Sequence, residues 1–153
     1  MSDQQPVFNI EKIYVKDASL EAPHAPQIFL EPAQPQVEVQ LATAATRAAD
    51  GLYEAVLTIT VTAKAGDKTC FLVEAAQAGI FQIRNVPETD LEPILGIACA
   101  NILFPYARET IADLIARAGF PPIHLAPVNF EAMYAARQEA QAAGAGPRIE
   151  VAH

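Results

Sequence analysis

Residues 52–83 read LYEAVLTITVTAKAGDKTCFLVEAAQAGIFQI, and their two-residue rhythm is the strongest structural signal in the chain. From Leu52 to Thr62, one side of an extended chain carries Tyr53, Ala55, Leu57, Ile59 and Val61. The other side carries Glu54, Thr58, Thr60 and Thr62. Such alternation, rich in β-branched residues, predicts a strand with one buried face. Gly66-Asp67 offers a turn, because glycine tolerates positive φ. A second strand then runs from Thr69 to about Ile83. Phe71, Val73, Ala75 and Gln77 share one of its faces, and Leu72, Glu74 and Ala76 share the other. Two adjacent strands joined by a tight turn predict an antiparallel hairpin.

Working outward, Asp50-Gly51 provides another turn, preceded by Val37, Val39 and Leu41 alternating with Glu38 and Gln40. This is a half-buried strand, so three strands form a meander. Before it, Pro23, Pro26, Pro32 and Pro35 exclude a regular helix or a central strand and predict a long ordered crossover. Residues 7–17 predict one more strand, with Phe8, Ile10 and Tyr14 on one face and Glu11, Ile13, Val15 and Asp17 on the other.

The pattern becomes helical after residue 88. Thr89 and Glu92 have capping-box spacing, and Pro93 would fall in the first turn, where a missing N–H costs little. Apolar residues then recur at helical spacing through Leu103, Ile111 and Ile115, with Pro105 expected to kink the helix. Gly119 and Pro121-Pro122 end it. Asn129 is placed to cap a last helix bearing Phe130, Met133 and Tyr134, and residues 144–153 are expected to be disordered. Strands followed by helices predict an α+β fold. It is a single domain over residues 1–143, with a four-stranded antiparallel sheet, a long crossover after the first strand, a kinked helix and a C-terminal helix.

Composition narrows the function. Among 153 residues, 52% are hydrophobic and 18% charged, with a net charge of −8. Apolar surface in this excess predicts self-association. No run of Lys or Arg exists to neutralise a phosphate backbone, which argues against nucleic acid. Residues 1–90 hold twelve acids against six Lys/Arg, so the strand region carries the stronger negative field. The N-terminus has no basic segment followed by an apolar core, and the longest apolar run falls short of a membrane span. A soluble cytoplasmic protein is expected.

Catalytic chemistry has little to work with. Ser2 and Ser19 sit in no nucleophile motif, and Cys70 and Cys99 lie on apolar stretches, where packing is the simpler reading. His24, His124 and His153 are scattered, so no metal site is expected, and no glycine-rich phosphate loop is present. Neither a cofactor nor a catalytic residue is predicted. Thr89 and Asp90 at a helix start are the sole candidates for the competing reading, a small thioesterase-like enzyme.

Four stretches resemble the SecB family of bacterial protein-export chaperones: Asn101-Ile102-Leu103-Phe104-Pro105-Tyr106-Ala107-Arg108-Glu109; Leu125-Ala126-Pro127-Val128-Asn129-Phe130; Lys16-Asp17 leading to Glu21-Ala22-Pro23-His24-Ala25-Pro26; and Gly79-Ile80-Phe81. They fall in the family's order and spacing over roughly residues 8–143. The resemblance implies a dimer of dimers, surface grooves that take up unfolded precursor proteins without ATP, and delivery to the SecA motor. It matches Asp17, Glu21, Leu72 and Glu74 to the surface that meets SecA, whose tail carries its own zinc. For the client groove, Phe29, Val37, Val39, Leu41 and Ile80 are expected, from the crossover, the second strand and the end of the fourth. Phe71, Val73, Ala75 and Gln77 are expected at subunit contacts. Ala33 stands where many SecB sequences carry Trp. A SecB-like chaperone serving a toxin–antitoxin pair would share the fold and the grooves without the SecA task.

Overall fold

A computed structural model describes residues 5–32 and 34–143. Ala33 and the tail at 144–153 lie outside the described residues. Four strands, β1 (Val7–Glu21), β2 (Gln36–Ala49), β3 (Leu52–Ala65) and β4 (Lys68–Arg84), form one antiparallel sheet in the order β1-β4-β3-β2. Both expected turns form, with Gly51 at φ 73° and Gly66 at φ 67°, backbone that a side chain would strain. All four strands outrun their expected ends. The alanine- and threonine-rich end of β2 carries no large apolar signal, yet it pairs with β3 as far as Ala49↔Leu52. Backbone pairing to an established neighbour extends a strand that its own side chains do not announce.

The faces expected for β1 need correction. Its register against β4 shifts between Ile10 and Lys12 and again between Val15 and Asp17. Each extra residue reverses the alternation. Phe8, Ile10, Ile13 and Val15 therefore lie opposite Ile83, Phe81, Gly79 and Gln77, on the face that the helices cover. Tyr14 and Asp17 lie opposite Ala78 and Ala76, on the open face. Gly79 permits the first shift, because a Cβ there would meet the Phe81 ring at 2.9 Å and the Lys12 carbonyl at 3.1 Å.

The helical layer follows. Helix α1 (Glu88–Pro93) leads through one π turn (Ile94–Ala98) into α2 (Cys99–Arg117), and α3 (Phe130–Ala142) closes the fold. The expected capping box does not form: Pro87 is the N-cap and no side chain caps the first turn. Pro93 ends α1 rather than opening it. The departure from α geometry is the π turn, closed by the Cys99 N–H donating to the Ile94 carbonyl, while α2 runs on through Pro105. Asn129 caps α3 as expected, its side chain accepting from the Ala132 N–H at 2.9 Å.

Helix α2 packs on β3 and β4. Leu57, Ile59, Val61, Val73 and Phe81 from the sheet meet Leu103, Ile111 and Ile115 from the helix, all 0–1% exposed. Each large side chain removed from water there contributes about 1.5–3 kcal/mol. Helix α3 is held by fewer points. Phe130 is buried edge-on against Phe104, with ring centroids 5.9 Å apart. Tyr134 lies against Gly96 of the π turn, and Arg137 donates to Thr43 Oγ1 of β2 at 3.1 Å.

Gly79→Ala should cost about 1–3 kcal/mol, because neither a sealed ring nor a paired backbone can yield cheaply. Urea unfolding is the check. An unchanged midpoint would show that the bulged edge relaxes freely.

Candidate functional site

The crossover between β1 and β2 carries a short 3-10 turn, Gln27–Leu30, in which Ile28 is buried and anchors the segment. Lys68 of β4 and Glu31 hold its far side at 3.6 Å. Beneath this strap lies a cavity of about 430 Å³, lined by Phe29, Pro35, Val37, Phe71, Phe120 and Ile123 among others. Three rings form a ladder along it: Phe29 to Phe120 at 5.0 Å and Phe120 to Phe71 at 4.9 Å. Gly119, at φ 96° after α2, lets Phe29 lie close, since a Cβ would stand 3.1 Å from that ring. The cavity has apolar walls, a half-open mouth and no clustered polar chemistry, which suits side chains rather than a small polar substrate.

Of the residues expected in the groove, Phe29 and Val37 line this cavity. Val39 and Leu41 continue the same face of β2, opposite Val61 and Ile59. Val37 is 44% exposed and Val39 39%, whereas Leu41 is half-buried against the core. Ile80 is separated from them. It pairs with Glu54 and Lys12, which places it on the opposite face of the sheet. Strand alternation forbids one groove from using both. Leu30 on the strap is 75% exposed, an apolar side chain not among those expected in the groove. β2 is also an edge strand, so its outer backbone N–H and C=O groups face away from the sheet.

Phe71, Val73, Ala75 and Gln77 are 0–3% exposed within the single chain, beneath α2. Gln77 is satisfied internally, donating to the Tyr14 carbonyl and accepting from Thr110 Oγ1, both at 3.2 Å. Such side chains could influence a subunit contact only through what they support. The apolar row left open on the same face belongs to β1: Phe8, Ile10, Val15 and Leu20, each 36–49% exposed. The two bulges hid this row from a two-residue alternation.

Asp17, Glu21, Leu72 and Glu74 come together on the open face. Glu21 lies opposite Leu72, Ser19 opposite Glu74 and Asp17 opposite Ala76. Asp17 and Glu21 are exposed; Leu72 and Glu74 are half-buried. Glu74 accepts from Thr60 Oγ1 at 3.1 Å. Beside them, Glu54 of β3 accepts from the Tyr14 hydroxyl at 2.5 Å and from Lys16 Nζ at 2.9 Å. The bond to the Glu54 carboxylate, with burial, pushes the Tyr14 phenol up to about 12. The Lys16 ammonium first, and the Tyr14 hydroxyl second, hold the Glu54 carboxyl below its ordinary value. Tyr14, Lys16 and Glu54 were not singled out from sequence, because the bulges concealed that they share a face.

Thr89 and Asp90 lie exposed on the six-residue α1. Cys70 and Cys99 are buried, and burial pushes the Cys99 thiol up to about 12, away from reactive thiolate. Among the described residues, no group of three or more His, Cys, Asp or Glu is placed to hold a metal ion, and no helix is long and apolar enough to cross a membrane.

Comparison with known proteins finds relatives in both fold and sequence. A SecB-like chaperone of Mycobacterium tuberculosis, solved with an antitoxin peptide, shares the fold at a TM-score of 0.66 and 16% identity, covering 79% of this chain and 90% of that one. The protein-export protein SecB of Chromobacterium violaceum is 64% identical over 95% of this chain and 99% of its own length. That of Neisseria meningitidis serogroup B is 56% identical, over 95% and 100%. The family model described as preprotein translocase subunit SecB matches residues 1–141, and the chain belongs to the SecB family.

Proposed function

We propose that the protein is an ATP-independent export chaperone that holds unfolded precursor proteins in its apolar grooves and delivers them to SecA. The observation that carries this reading is the 430 Å³ aromatic cavity, which opens onto the exposed Val37–Val39 row of an edge strand. A native client has sealed its large apolar side chains, while an unfolded one still offers them. One such side chain entering the cavity contributes about 1.5–3 kcal/mol, against a cost of about 1–2 kcal/mol for each client residue ordered. A single short contact is therefore nearly neutral. Backbone pairing to the free edge of β2 would add affinity without sequence preference. Several grooves engaging one long chain would raise avidity steeply.

The finer assignments follow from the same surfaces. The open row Phe8, Ile10, Val15 and Leu20 is the surface for a second copy, and a tetramer built as a dimer of dimers supplies the several grooves. Asp17, Glu21, Leu72 and Glu74 form the SecA-docking face, with acids around one apolar side chain. No nucleotide, metal or catalytic group has a part, and the site of action is the cytoplasm. Grooves on one face and acids on the other let client and motor bind together.

Replacing Val37 and Val39 together by Thr keeps the strand-favouring shape but wets the groove. Capture of unfolded protein in a nucleotide-free aggregation assay should weaken roughly tenfold, the equivalent of about 1.4 kcal/mol, with the native mass unchanged. Unimpaired capture would remove the groove assignment. The Asp17→Asn, Glu21→Gln, Glu74→Gln triple variant should bind SecA roughly tenfold less tightly while still capturing clients. Raising salt should weaken the unsubstituted pair as well, since exposed charges are screened beyond about 8 Å at 0.15 M. Undiminished SecA affinity in the triple variant would refute the docking face.

A further inference from the structure

The second bulge of β1 decides which side of the sheet two of the docking acids occupy. Val15 faces Gln77 on the helix side, and the next paired residue, Asp17, faces Ala76 on the open side; Lys16 is the extra residue. With strict alternation from Val15, Asp17 and Glu21 would both turn to the helix side, and Ala18 and Leu20 would take their place. Burial does little to prevent this slip. Val15 is 48% exposed and Leu20 36%, Ala18 is exposed as well, and β1 has a sheet neighbour on one side only. A register so weakly fixed by apolar packing needs another constraint.

Polar contacts grip this point from both faces. On the open face, Glu54 reaches across β4 and takes Lys16 Nζ at 2.9 Å and the Tyr14 hydroxyl at 2.5 Å. Lys16 and Asp17 therefore share the open face, where strict alternation would part them. Ala78, opposite Tyr14 on this otherwise open face, is 0% exposed beneath the cluster. On the helix face, the buried Gln77 amide donates to the Tyr14 carbonyl at 3.2 Å and is itself held by Thr110 of α2. A charge-assisted pair with a half-buried carboxylate is among the stronger hydrogen bonds available to a side chain.

We propose that Glu54, Tyr14 and Lys16, with Gln77 behind them, clamp the second bulge of β1 and so hold Asp17 and Glu21 on the docking face. They are positioning residues, and their role in partner binding rests on the SecA reading given above. Glu54 thus serves the site as a register lock rather than as one more negative charge.

The sign of one substitution separates the two roles. Lys16→Met deletes a positive charge from a surface that attracts a cationic partner. If Lys16 acted only through the field, SecA would bind more tightly. If it pins the bulge, SecA binds more weakly. Tyr14→Phe changes no charge at neutral pH, because the phenol is protonated far above that range. It should nevertheless weaken SecA binding in the same direction. Both variants are made in the full chain, with SecA affinity measured by calorimetry and amide exchange measured across residues 15–21. The expected result is a loss of threefold or more in SecA affinity in each variant. Exchange should be faster at residues 15–21, and client capture unchanged. Tighter SecA binding by Lys16→Met, or weaker binding with unaltered exchange, overturns the clamp. The exchange measurement is independent of SecA. Should the triple acid variant retain full SecA affinity, the docking reading fails, while protection at residues 15–21 still decides whether the clamp exists.

Discussion

One helix is too narrow to cover a four-stranded sheet. Three inter-strand gaps of about 4.8 Å, with side chains beyond them, exceed the ~10–12 Å breadth of an α-helix. Helix α2 sits on β3 and β4, where Leu57, Ile59, Val61 and Val73 are fully sealed. The outer strands keep apolar rows on the same face with nothing of that length above them. On β1 the row is Phe8, Ile10, Val15 and Leu20; on β2 it is Val37 and Val39. Both exposed apolar rows descend from this mismatch of widths. The β2 row merges with the aromatic cavity under the crossover, and the β1 row stays exposed within the single chain.

The sheet also keeps two chemistries apart. Successive residues of a strand point to opposite faces, so Val37 and Val39 can line an apolar groove while their neighbour Glu38 stands in water. A groove of grease and a field of acids would spoil each other if mixed, since an unpaired carboxylate in a dry cavity costs more than one side chain's burial returns. Four strands separate them at no expense in chain length. The sheet is thus a partition as well as a scaffold, and a register error on β1 would breach it.

Holding an unfolded chain needs no reacting atom. The energy comes from apolar area removed from water, and selectivity comes from the client having area to offer. Several of the protein's polar side chains serve its shape instead. Gln77 ties β1 to α2, Asn129 starts α3, and Arg137 pins α3 to β2. Gly79, Gly96 and Gly119 let a carbonyl or a ring come close. Of these positions, Gly119 lies in the wall of the cavity itself.

Strand alternation around residues 52–83, the glycine turns, the proline-rich crossover and the Asn129 cap determined the α+β class and the strand meander from the sequence alone, because each is a local property of a few adjacent residues. The family followed from four short stretches in order. Of the residues expected in the groove, Phe29 and Val37 line the cavity, and Asp17, Glu21, Leu72 and Glu74, named through the family resemblance, share one face of the sheet. Tertiary structure alone decided the two bulges of β1, the placement of Ile80 on the far side of the sheet, the burial of Phe71, Val73, Ala75 and Gln77 beneath α2, and the meeting of Tyr14, Lys16 and Glu54. Each of these depends on which residue lies opposite which across strands, and on where a helix of limited width comes to rest. Pairing between residues tens of positions apart leaves no periodic trace in either segment.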